Sequence, residues 1–77
     1  MKIQIVRQRE LEVGSGEAAT KIIKVTYSME GYPPRTLWID RSKYSKQAVI
    51  DYIKADIKYS FRLDIKEVEL VGWEPLV

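Results

Sequence analysis

Residues Arg35–Ser60 read RTLWIDRSKYSKQAVIDYIKADIKYS, and the hydrophobic period changes part-way along them. In Arg35–Asp40 the apolar Leu37 and Ile39 alternate with Thr36 and Trp38, the period of two that a strand imposes on its faces. From Val49 onward Val49, Ile50, Ile53, Ile57 and Phe61 recur at helical spacing, with Gln47, Asp51, Lys54 and Lys58 opposite. A helix over about Ser45–Ser60 follows, some 24 Å long at about 1.5 Å per residue. Ser42 and Ser45 are its candidate N-caps, because a serine oxygen can accept from an unpaired first-turn N–H.

Upstream, Lys21–Met29 is the clearest strand. Ile23, Val25, Tyr27 and Met29 alternate with Ile22, Lys24, Thr26 and Ser28, and β-branched and aromatic residues dominate. Glu30-Gly31-Tyr32-Pro33-Pro34 interrupts the sheet, since neither proline can donate a ladder hydrogen bond. Further upstream, Gly14–Thr20 reads as a hairpin loop after a long strand over Lys2–Val13. Ile3, Ile5, Leu11 and Val13 share one parity and are assigned to the core, while Val6 falls on the other face. Arg7 and Arg9 break the parity, which predicts either a bulge near Val6–Arg9 or arginines exposed where the sheet outruns its helix. Downstream, Leu63 and Ile65 are expected beneath the turn, and a last strand is expected over Lys66–Val71, with Val68 and Leu70 inward and Gly72 ending it.

The order is strand, strand, strand, helix, strand over one domain, residues 1–77. Short connections favour an antiparallel meander, giving an α+β two-layer domain with an antiparallel sheet and one amphipathic helix on one face.

Composition narrows the chemistry. The 77 residues contain no histidine and no cysteine, which removes the commonest general base, the thiol nucleophile and the two commonest zinc ligands. Gly14-Ser15-Gly16 lacks the remainder of either phosphate-loop motif, and a strand is expected to follow it where both motifs need a helix. Glu67 and Glu69 would share a strand face, a pattern that ordinarily serves as a polar face discouraging edge pairing. Asp51 and Asp56 lie too far apart around the helix to share a site. The expectation is a protein that is not an enzyme, with no cofactor, no metal site and no membrane segment. It reads as intracellular and cytoplasmic.

Attention therefore moves to surfaces. The uncovered sheet face is expected to carry Val6, Ile22, Trp38, Val71 and Trp73 among polar residues, more apolar than a solvated face needs. Tyr32, Arg35 and Trp38 form a candidate aromatic and basic tip. Tyr52 and Tyr59 lie on one helix flank with Ala48 and Ala55, a flank assigned to the core margin, with a helix-packing contact as the other reading. The expected function is a small interaction module that docks a protein partner or a second copy through Ile22, Tyr32, Arg35, Trp38 and Trp73. The other reading is nucleic-acid binding through Arg7, Arg9, Arg35, Arg41, Lys43 and Lys46 with Tyr32 and Trp38; the net charge of only +2 counts against it.

Overall fold

A computed structural model describes residues 1–76 of the chain. Four strands and one helix follow in the expected order: β1 (Lys2–Val13), β2 (Thr20–Ser28), β3 (Arg35–Asp40), α1 (Lys46–Phe61) and β4 (Glu69–Val71). Short 3-10 turns occupy Gly16–Ala18 and Arg41–Lys43. The sheet order is β3-β2-β1-β4, with α1 against one face.

The sheet is mixed, not wholly antiparallel. β1–β2 and β2–β3 are antiparallel, but β4 runs parallel to β1, pairing Lys2 with Glu69 and Gln4 with Val71. The helix is the cause. It carries the chain back along the sheet once, so the strand that follows must run in the direction of β3, which is also that of β1. β4 is also shorter than expected. Lys66–Val68 stay outside the ladder, and the Glu67 carbonyl instead accepts from the N-terminal ammonium at 3.1 Å.

The helix forms as its sequence dictates. The Ser45 hydroxyl accepts from the Ala48 N–H at 3.0 Å, which caps the first turn. Arg62 closes the other end in the left-handed region at φ 59°. Val49, Ile53 and Ile57 are buried against Ile3, Ile5, Ile23, Val25, Tyr27, Leu37 and Ile39 of the sheet. Ile50 sits only half-buried at the edge of that stripe.

The decisive local feature lies in β1. Ile5 pairs with Tyr27 and Arg7 with Thr26, so Val6 is an extra residue in the ladder. One extra residue reverses the parity of everything after it. Gln8 and Glu10 therefore pair with the core-facing Val25 and Ile23, while Leu11 pairs with Ile22 on the other face. This corrects the core assignment of Leu11 and Val13: Leu11 is half-buried and Val13 exposed, both on the uncovered face.

On the helix side of the distal hairpin, the chain after Gly72 takes over the covering role. The Tyr44 hydroxyl donates to Gln8 Oε1, the Gln8 amide donates to the Glu74 carbonyl at 2.6 Å, and the Leu76 N–H donates to the Tyr44 hydroxyl at 3.1 Å. Trp73 packs on Tyr44 with ring centres 5.7 Å apart and borders the core. Its expected place on the uncovered face is thus corrected, because the tail folds over the helix side.

Candidate functional site

The bulge at Val6 decides what the open face presents. Beyond it, Arg7 and Arg9 turn onto the face that α1 leaves uncovered. Arg9, Lys24 and Trp38 stand in one row across β1, β2 and β3, and Arg7, Thr26 and Thr36 stand in the next. Leu11, Ile22 and Asp40 form the row after that. Arg7, Arg9, Lys24, Thr26 and Thr36 line a small hollow of about 80 Å³. The hydroxyls of Thr26 and Thr36, both in its lining, share a hydrogen bond of 3.1 Å. The Lys24 ammonium lies 5.5 Å from the centre of the Trp38 ring, and Trp38 is 55% exposed.

No carboxylate lines this hollow. Like charges directly opposite one another in a sheet destabilise it, by roughly 0.2–1 kcal/mol for a cross-strand pair. Arg9 opposite Lys24 is such a pair, and Arg7 adds a third cation. The Lys24–Trp38 contact offsets part of this cost, and the remaining conflict makes the face a candidate functional surface. Three cations, two hydroxyls and an exposed indole can hold an oxyanion such as phosphate and stack a planar ring beside it.

The remaining sequence candidates lie elsewhere. Ile22 is on the open face, one row from Trp38. The expected tip of Tyr32, Arg35 and Trp38 is divided by the sheet. Tyr32 stacks on Phe61 with centres 4.7 Å apart, and Arg35 turns to the helix side, where its guanidinium clamps Asp56 at 2.9 and 3.1 Å. Arg41 also lies on the helix side, bonded to Glu10 at 3.4 Å and set over the Tyr44 ring. Lys43 and Lys46 are exposed on the turn and first helical residue after β3, outside the hollow. Of the basic set, the hollow brings together Arg7 and Arg9 alone and adds Lys24. The sequence places Lys24 correctly beside Trp38 in parity; its pairing with Arg9 depends on the register that the bulge sets.

Asp56 is the polar centre of the other face. It accepts from the Tyr27 hydroxyl, from Arg35 and, at 3.4 Å, from the Ser60 hydroxyl. Burial works to raise its pKa, but the bonds from Arg35 and Tyr27 and the Arg35 charge outweigh that and hold the carboxyl below its ordinary value. Burial first, and the Asp56 carboxylate second, push the Tyr27 hydroxyl up. The Tyr27 and Ser60 hydroxyls and two of the Arg35 N–H groups all meet this one carboxylate, so the cluster ties α1 to β2 and β3.

Among the described residues no group of three or more carboxylates could hold a metal ion, and no helix is long and apolar enough to cross a membrane. Comparison with protein-family models, curated proteins and solved structures finds no match for this chain.

Proposed function

We propose that this chain is a binding module whose open sheet face takes a single-stranded nucleic acid. The observation that carries the reading is the convergence of Arg7, Arg9 and Lys24 on one hollow beside the exposed Trp38. Flat sheet faces bearing aromatics and cations hold single strands in two ways. Bases stack on the rings, and phosphates meet the basic groups. The modest net charge of +2 is compatible with this, because the two carboxylates on the open face stand outside the hollow: Asp40 is bonded to Ser42, and Glu69 pairs with Lys2 at the far edge of the sheet. Asp64, Glu67 and Glu74 lie after the helix, and Glu10 is bonded to Arg41 on the helix side.

The charge pattern also weighs against self-association through the same face. A two-fold contact centred there would set the cations of one copy against those of the next, and like-charge juxtaposition is costly at an interface. The exposed Val71 and Trp38 do not join into one apolar patch, since they lie at opposite edges of the sheet with polar and basic residues between them.

The reading is tested by titrating a fluorescently labelled single-stranded oligonucleotide with the protein at low ionic strength. Saturable binding that weakens with salt is expected. An absence of binding at low salt rejects it.

A further inference from the structure

The outward side of α1 carries a second unpartnered surface. Ala48, Tyr52, Ala55 and Tyr59 recur at spacings of four, three and four, which places them in one stripe along the helix. At about 100° per residue this stripe points roughly 130° away from Val49, Ile53 and Ile57; Ala48 is half-buried and Tyr52 40% exposed, as the expected core margin would have them, while Ala55 and Tyr59 stand beyond that margin. Tyr59 is 84% exposed. Shallow hollows lie on either side of Ala55, one edged by Ala48 and Tyr52 and the other by Tyr59.

The stripe alternates small and large, and its symmetry is specific. Ala48 and Tyr59, and likewise Tyr52 and Ala55, are each centred between Ile53 and Lys54. A two-fold axis through that point, with a second helix running antiparallel, lays every tyrosine over an alanine of the other copy. The flanking charges agree. Asp51 and Lys58 lie on the same flank, about 20° apart around the helix. In an antiparallel pair like flanks meet, so Asp51 of one copy lies about 3 Å along the axis from Lys58 of the other, and the reverse, an offset that a lysine side chain spans. Asp51 accepts only an exposed bond from Gln47 at 2.9 Å, and Lys58 has no ion pair among the described residues.

We propose that this stripe is the docking surface for a second copy of the chain, paired antiparallel across α1. It is an independent inference: the open sheet faces of such a dimer point away from each other and take no part in the contact. Small residues at the crossing let the two helices approach closely, while the tyrosines supply large area at low conformational cost.

Sedimentation equilibrium of the whole chain at high micromolar concentration tests it. The expected mass is twice 9.0 kDa. Ala55→Glu should give a monomer with unchanged helix content. Asp51→Lys should weaken the dimer about tenfold, and adding Lys58→Asp should restore it, because the reciprocal pair is reformed with its signs exchanged. A monomeric wild-type protein overturns the proposal. So does a dimer that survives Ala55→Glu, one that dissociates with Trp38→Glu instead, or an Asp51→Lys defect that Lys58→Asp does not repair.

Discussion

The Lys24 ammonium sits 5.5 Å from the centre of the Trp38 ring, on the sheet face that no helix covers. Lys24 also lines the hollow with Arg7 and Arg9, so the indole and the cations are joined through one shared residue, and a base stacked on the ring would place its phosphate toward the hollow. Trp38→Ala is expected to weaken oligonucleotide binding by about 1–3 kcal/mol, the usual worth of one stacked base, without lowering the melting temperature. Trp73→Ala should do the reverse, because Trp73 packs on Tyr44 at the core border. Binding isotherms and thermal melts of the two variants separate these outcomes.

Arg9 and Lys24 are directly opposed across β1 and β2. Arg9→Glu converts a like-charge pair into an opposite-charge pair, worth up to about 1 kcal/mol across strands. The variant should melt a few degrees higher than wild type. It should also bind an oligonucleotide at least tenfold more weakly. Stabilisation together with lost binding is the signature of a site kept at a cost to the fold. A variant that melts lower, or that binds as well as wild type, contradicts the assignment.

The Tyr27–Asp56–Arg35 cluster joins β2 and β3 to α1, with Asp56 14% and Tyr27 1% exposed. Asp56→Ala leaves a buried tyrosine hydroxyl without its acceptor and should destabilise the domain by about 3 kcal/mol. Tyr27→Phe removes one donor while Arg35 and Ser60 still serve the carboxylate, and should cost about 1–2 kcal/mol. Urea denaturation measures both.

Acid should unfold the protein through the same carboxylate. Arg35 and Tyr27 outweigh burial and hold Asp56 below its ordinary pKa, so the unfolded chain takes up this proton more readily than the folded one. The contribution is complete above the ordinary aspartate range and falls away as pH drops below about 4. Asp56→Asn should flatten the acid limb of a melting-temperature profile, and an unchanged limb would assign the loss to other carboxylates.

The regular elements were legible because their signals are local. Alternation through Ile23, Val25 and Tyr27 defines the central strand, and Ser45 followed by Val49, Ile53 and Ile57 defines the helix and its start. The odd parity of Leu11 and Val13 matches that of Ile3 and Ile5 only if the extra residue is ignored; the polar run of Arg7–Glu10 marks the fault but not its size. The parallel pairing of β4 depends on how far the helix returns the chain, a length match that no short window contains. Helical spacing says of Asp56 only that it lies too far around the helix from Asp51 to share a site. Its signal lay at long range, in a buried tyrosine and an arginine that reach it from β2 and β3. The basic hollow was half visible: Lys24 and Trp38 share a face by simple alternation, while Arg7 and Arg9 join them only through the bulge.

The most direct measurement of the central claim is the salt dependence of oligonucleotide binding by the whole chain. For single strands the logarithm of the binding constant falls with the logarithm of salt concentration by about 0.7 per neutralised phosphate. Arg7, Arg9 and Lys24 acting together predict a slope of about −2, reduced by about 0.7 in Lys24→Ala. A slope near zero, or one that Lys24→Ala leaves unchanged, would contradict the placement of the site on the open sheet face.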